Sequence, residues 1–278
     1  MDIKNRNFFN LQGSKKDIGN SPEFVTRAKN TLPYVFEGRA AGTKTITYPI
    51  TYHHTKVCHP KSETLEDLRV LNDHSTKPVM NSYKTLRTQV LKKLSQNQWN
   101  SIAVITARSN QGASLTAVNL GISIAREHRY TCAVTDFNLK NPAIHKYFGY
   151  KTPIDSGVSD LLQGRATIPD VLVNPSIEGL VFLPGREEVL HSSELLMSPN
   201  VQKTIDDLRT YYASRVVIFD LPPILEEDDA LAFLGQADAC LVVIQEGVTE
   251  RDDLQKMSDL LGDTPILGVV YNNSRSGI

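Results

Sequence analysis

The run Ala107-Arg108-Ser109-Asn110-Gln111-Gly112-Ala113-Ser114 follows a short apolar stretch, 102–106, and leads into a helical pattern over 114–128. Strand, small-residue turn and helix start, in that order, form a phosphate-binding layout. Backbone N–H groups in such a turn converge on phosphate oxygens, and the helix dipole adds a favourable field. The usual pattern ends in Gly-Lys-Ser/Thr. Gly112 and Ser114 stand in register, Ala113 occupies the lysine slot, and Asn110 stands where a second glycine is expected. Asparagine tolerates positive φ better than most residues, so the turn can survive that exchange.

A Gly-Ala-Ser turn alone is an ordinary strand–helix connection. Two aspartates raise it above that reading. Asp136 follows the apolar run 132–135, and Asp220 follows 216–219. A carboxylate at the C-terminal end of a buried parallel strand borders the crevice where open α/β sheets bind ligands. There it can hold Mg²⁺ directly or through water. Ser114, Asp136 and Asp220 are therefore the candidate metal ligands, with the two aspartates also the candidate catalytic groups. Ser109, Asn110, Gln111, Gly112, Ala113, Ser114 and Leu115 are the candidate nucleotide-binding residues. The plainer alternatives are a helix cap for Ser114 and turn caps for the aspartates.

The elements that must position these groups are legible from residue 101 onward. Strand-like runs fall at 102–106, 132–135, 180–183, 216–219, 240–244 and 266–271, alternating with helical patterns near 114–128, 192–212, 227–235 and 249–261. Continuous Val/Ile-rich runs are what a sheet covered on both faces requires. Their alternation with helices predicts an α/β fold with a doubly wound, mostly parallel sheet. A helical lead-in precedes it at 62–96, in two pieces. Ser62 opens the first as its cap, and Pro78 marks the start of the second, with Tyr83, Leu86, Val90, Leu91 and Leu94 at helical spacing. Residues 1–60 show no sustained period and read as an irregular N-terminal arm, apart from a β-like piece at 45–48. The α/β domain then occupies 61–278.

The formal net charge is −1, so no overall pull toward nucleic acid arises. The arm carries nine Lys/Arg against four Asp/Glu, a local +5 that can touch an anionic surface or an acidic partner. Three scattered cysteines make no disulfide framework and fit a reducing, cytoplasmic compartment. No apolar window is long enough to span a bilayer, so membrane association has to run through a partner or a surface contact. His53, His54, Cys58 and His59 cluster in the arm without structural-zinc spacing. Tyr34, Tyr48, Tyr52, Tyr211 and Tyr212 are further phosphorylatable groups.

Across about 70–273 the residues resemble bacterial tyrosine kinases of the CpsD/CapB type, relatives of the MinD/ParA P-loop ATPases. The resemblance rests on Tyr83-Lys84-Thr85-Leu86-Arg87-Thr88, Ala117-Val118-Asn119-Leu120, His145-Lys146-Tyr147-Phe148-Gly149 and Gly157-Val158-Ser159-Asp160-Leu161-Leu162. It continues through Leu183-Pro184-Gly185, Ser193-Glu194-Leu195-Leu196 and Asp220-Leu221-Pro222-Pro223. It implies ATP or ADP with Mg²⁺, phosphoryl transfer to tyrosine, and a role in exopolysaccharide or capsule synthesis. It also implies docking on the cytoplasmic segment of a membrane polysaccharide co-polymerase at the inner face of the plasma membrane, and homo-oligomers. Asn272 falls where relatives place a residue near the adenine.

Four departures from that family stand out. Ala113 lacks the lysine that follows phosphate charge into the transition state. Asn138 and Lys140 replace the second Asp and the Arg of Asp-x-Asp-x-Arg, and an amide cannot accept the proton expected of that aspartate. Asn81, Lys84 and Arg87 stand in the oligomerisation pattern Glu-x-x-Arg-x-x-Arg, with one charge gone and one fork reduced to a point charge. The tail after Tyr271 carries no tyrosine cluster. Loss of one transition-state donor costs on the order of 10²–10³ in rate, and loss of a general base about 10² more. The expected function is a degenerate, weak or inactive regulatory kinase. An active kinase with a modified loop and a MinD/ParA-like ATPase switch are the alternatives.

Overall fold

The computed structural model describes residues 8–11, 35–38, 46–49, 55–150, 154–186, 188–211 and 214–274. Tyr34, Tyr52, His53, His54, Tyr212 and the last four residues of the tail lie outside these, as do the side chains of the first 54 residues.

Four short strands fall in the segment read as irregular: β1 (Phe8–Leu11), β2 (Val35–Gly38), β3 (Ile46–Pro49) and β4 (Lys56–Val57). β2 and β3 pair only with each other, antiparallel. Two helices follow, α1 (Ser62–Asp67) and α2 (Lys77–Asn97). Ser62 is not the cap expected of it: Lys61 takes that position with extended backbone, and no side chain caps the helix. In α2 the proline falls in the first turn, where its missing N–H costs nothing.

The alternating region runs β5 (Ser101–Thr106), α3 (Ala113–Ala125), β6 (Thr131–Asp136), α4 (Ile144–Tyr147), α5 (Val158–Leu162), α6 (Ile168–Val171), β7 (Val173–Asn174) and β8 (Leu180–Leu183). It continues with α7 (Ser192–Leu196), α8 (Pro199–Thr210), β9 (Arg215–Asp220), α9 (Asp229–Leu234), β10 (Ala239–Gln245), α10 (Arg251–Leu261) and β11 (Ile266–Asn272). The helical pattern at 192–212 is broken in two because Pro199 starts a new helix.

Among the described residues one nine-stranded sheet forms, in the order β1-β11-β10-β5-β9-β6-β8-β7-β4. Strands β1 to β8 of that order are parallel, and β7 turns antiparallel against β8. The expected doubly wound, mostly parallel sheet is present. Each central strand is buried along its whole length, so successive side chains feed two separate cores. Ile102 and Val104 face α2 and α3, with Leu86, Val90, Leu120 and Ile124. Ala103 and Ile105 face α8, α9 and α10, with Leu208, Phe233 and Met257. Phe137, Phe219 and Phe233 lock the second core, their ring centroids 4.8–5.0 Å apart.

This strand order sets the site. β9 lies between β5 and β6, so three strands end side by side where the loops turn into helices. Asp220 is opposite Val104 on one side and opposite Asp136 on the other.

Candidate functional site

The loop from β5 to α3 is shaped by backbone geometry and amide side chains. Asn110 has φ 62° and Gly112 φ 90°, so the asparagine adopts the left-handed conformation that a glycine would otherwise supply. Gln111 is fully buried, and its Oε1 accepts from the Thr106 hydroxyl and, at 3.2 Å, from the Arg108 N–H. Asn272, at the end of β11, donates from Nδ2 to the Gln111 carbonyl at 3.0 Å. A Cβ at position 112 would lie 2.1 Å from that Nδ2. Gly112 is thus demanded twice, by φ and by space.

Gly112 is the N-cap of α3 and offers no side-chain cap, which leaves first-turn N–H groups pointing at the cleft. The outer part of the loop is pinned from two walls. Arg108 makes a two-pronged ion pair with Asp253 of α10, closest at 2.8 Å. That guanidinium holds the Asp253 carboxyl below its usual range. Ser109 donates both its N–H, at 3.2 Å, and its hydroxyl to Glu226.

Beneath the loop sit the two aspartates, side by side and fully buried. Asp136 Oδ2 accepts from the N–H groups of Ala143 (2.8 Å) and Ile144 (2.9 Å), while its Oδ1 has no hydrogen-bond partner. Neither oxygen of Asp220 accepts a well-aligned hydrogen bond, although the nearby Ser114 side chain offsets part of its strain. Burial pushes Asp136 up to about 7 against the relief of its backbone donors. Asp220 is raised well above the carboxylate range by burial and then by the charge of Asp136. Three unpaired carboxylate oxygens in one dry spot are costly unless protons or a cation neutralise them. Among the described residues no lysine or arginine pairs with either aspartate. A hard divalent ion with oxygen ligands fits this donor set: two carboxylates and the Ser114 hydroxyl.

A cleft of about 1250 Å³ opens above the pair. All eight candidate nucleotide residues, Ser109 to Leu115 and Asn272, line it. Its walls are mostly amides and hydroxyls. Arg69 and His74 are its basic residues, and no lysine is among the described lining. Asn138 also lines it, its Oδ1 accepting from the Asn141 N–H at 3.1 Å in a local turn. Lys140 does not turn toward the cleft to replace the lysine missing at Ala113: its Nζ lies 3.4 Å from the Leu190 carbonyl on the far side.

Asn119 proves a structural clamp. Its Oδ1 accepts from the Leu71 N–H (2.8 Å) and its Nδ2 donates to the Arg69 carbonyl (3.0 Å), tying the chain before α2 to the helix behind the loop. On α2, Asn81 and Lys84 are exposed. Arg87 is turned inward, donating to the Ser123 carbonyl at 3.2 Å and pairing with Glu127 at 3.5 Å.

Two features of the cleft had no distinctive sequence signal. Glu226 and Asp253 hold the loop from 117 and 145 residues away. Tyr147 lines the cleft, and the charges of Asp220 and Asp136 reach its phenol.

No family model matches the chain. It is 29% identical over 192 residues to the tyrosine-protein kinase CpsD of Streptococcus pneumoniae, covering 68% of this chain and 82% of that one. It is 23% identical over 214 residues to the putative tyrosine-protein kinase CapB of Staphylococcus aureus, covering 76% and 91%. Among solved structures, the chimerical protein CapA2B2 superposes with a TM-score of 0.69 at 23% identity, over 79% of this chain and 93% of that one. The kinase domain of the Escherichia coli tyrosine kinase ETK gives 0.66 at 21%, over 80% and 91%. The cell division ATPase MinD of Pyrococcus furiosus gives 0.54 at 21%, over 64% and 73%.

Proposed function

From a chain whose relatives are bacterial tyrosine kinases of the CpsD/CapB type, we propose a nucleotide-binding regulatory protein of exopolysaccharide or capsule synthesis with weak phosphotransfer. The observation that carries this reading is the Asp136–Asp220 pair, with three carboxylate oxygens lacking a hydrogen-bond partner, set beneath a phosphate loop whose cleft has no lysine among its described lining.

ATP or ADP is the ligand, with the phosphates on Ser109 to Leu115. Ser114, Asp136 and Asp220 would hold Mg²⁺, which would supply the positive charge that neutralises the carboxylates and polarises the phosphates. The chain's own part is then mainly binding. First-turn amides of α3 face the anion, and Gln111 and Asn272 fix the loop that presents them. Ala113 brings no cation to follow charge into the transition state, and Asn138 cannot take the tyrosine proton. Binding is retained and chemistry is weakened.

The partner in this reading is the cytoplasmic segment of a membrane polysaccharide co-polymerase. Among the described residues no helix is long and apolar enough to cross a membrane, so the partner would hold the protein at the inner face. Self-association through α2 would use Asn81 and Lys84, since Arg87 is engaged within its own chain.

Titration calorimetry with Mg-ATP and Mg-ADP tests the site, alongside phosphotyrosine detection in the presence of the partner segment. Binding with at most trace phosphotransfer is expected, and Ala113→Lys should raise both. Brisk phosphotransfer by the unaltered chain would instead mean an active kinase. Slow hydrolysis with ATP-dependent dimers and no phosphotyrosine would mean a MinD-like switch. No binding at all would remove the proposal.

A further inference from the structure

The lysine missing at position 113 leaves phosphate charge in this cleft without a cationic side chain from α3, and the fold brings a further neutral donor to the cleft. α4 begins where Asp136 Oδ2 accepts the N–H groups of Ala143 and Ile144. The carboxylate at the candidate metal position therefore also fixes the start of that helix. At its other end Phe148 stacks on Phe182 at 4.8 Å, anchoring the helix to β8. Held at both ends, α4 presents Tyr147 to the cleft, while Lys146 is exposed and not part of its lining.

Among the described residues no protein group hydrogen-bonds the Tyr147 hydroxyl, and the atom is not sealed from the cleft. The neighbouring Tyr83 is the more deeply buried of the two, with Asn119 and Thr116 beside its phenol. We propose that the Tyr147 hydroxyl donates a hydrogen bond to a phosphate oxygen of the bound nucleotide, replacing in part the lysine absent at Ala113. This rests on the nucleotide reading given above.

The chemistry agrees. Burial, with the charges of Asp220, Tyr83 and Asp136, pushes the phenol up to about 12, so it keeps its proton at any working pH. A neutral O–H beside carboxylates is a donor without the desolvation cost of a buried ammonium.

The test is Mg-ATP affinity by calorimetry in the full chain for the unaltered protein, Tyr147→Phe, Ala113→Lys, the double variant and Lys146→Ala. A hydrogen bond to a charged group implies that Tyr147→Phe weakens binding about tenfold or more. In the Ala113→Lys background, where an ammonium takes over, the same change should cost less than about threefold. Lys146→Ala, next to Tyr147 but outside the cleft lining, should leave affinity near its starting value. Matching thermal midpoints for Tyr147→Phe and the unaltered protein exclude a folding defect, since the ring stays in place. Equal affinity for Tyr147→Phe and the unaltered chain overturns the inference while the nucleotide site stands. An equal loss in both backgrounds overturns it too. Failure of the unaltered chain to bind Mg-ATP removes the nucleotide reading itself.

Discussion

Asp136→Asn should make the metal-free protein more stable, and the gain should grow with pH. In the folded chain this carboxyl is raised from 3.8 to about 7, chiefly by burial. An acid whose folded pKa is raised binds more protons folded than unfolded between those two values. Stability is therefore highest below about 4, falls as pH climbs toward 7, and is flat above. At about 1.4 kcal/mol per tenfold change, ionisation costs the native state at most about 4 kcal/mol at pH 8. At pH 5 little more than a third of that cost has accrued. Asparagine cannot ionise, its Oδ1 can keep the bonds from Ala143 and Ile144, and its amide ends the like-charge contact with Asp220. The gain over the unaltered chain should thus be larger at pH 8 than at pH 5 by up to about 3 kcal/mol. Urea unfolding in EDTA at both pH values measures it, and comparing the two chains at each pH cancels the titrating groups other than Asp220, whose charge is coupled to Asp136. Adding Mg²⁺ at pH 8 should stabilise the unaltered chain and leave the variant nearly unmoved. A variant that is less stable at pH 8, or gains equally at both pH values, would refute the picture of an uncompensated buried carboxylate pair.

Gly112→Ala combines left-handed strain of about 1–2 kcal/mol with displacement of Asn272 from Gln111, about 1 kcal/mol. It should lower the thermal midpoint by several degrees and abolish nucleotide binding by calorimetry. Asn119→Ala removes two buried bonds, to Leu71 and Arg69. A loss of about 2–4 kcal/mol is expected, with hydrogen exchange at the Leu71 amide rising before that of the strands. Phe233→Ala empties the aromatic cluster with Phe137 and Phe219 and should cost about 3–5 kcal/mol in denaturant unfolding.

The central strands could be read from residue order because β5, β6, β9 and β10 are buried on both faces. Short unbroken apolar runs between helical patterns belong in a sheet covered on both sides. The start of α3 was legible because Gly112 and Ser114 mark a turn that a strand must enter and a helix must leave. Helices α4, α5 and α6, of four or five residues, are too short to show a helical period. The pairing of β1 was hidden because Phe8–Leu11 pairs with residues 269–272, far along the chain, and is flanked in sequence by polar residues. The aspartates were visible as strand-end acids, but not that they would lie opposite one another. That follows from β9 inserting between β5 and β6. Tyr147 and Arg87 show the same limit from two sides. One is an unmarked residue in a short helix that reaches the cleft, and the other a motif arginine that turns back on its own chain.

Strand β1 has its partner far along the polypeptide. β1 aligns Phe8 with Val269 and Leu11 with Asn272, so its neighbour is synthesised 261 residues later (269 − 8 = 261). At about 5–20 residues per second, β1 waits on the order of 10–50 s after its own synthesis before β11 exists. Over that interval its main-chain groups must be satisfied by water or a chaperone. When β1 does pair, it joins the strand whose tip, Asn272, holds the phosphate loop.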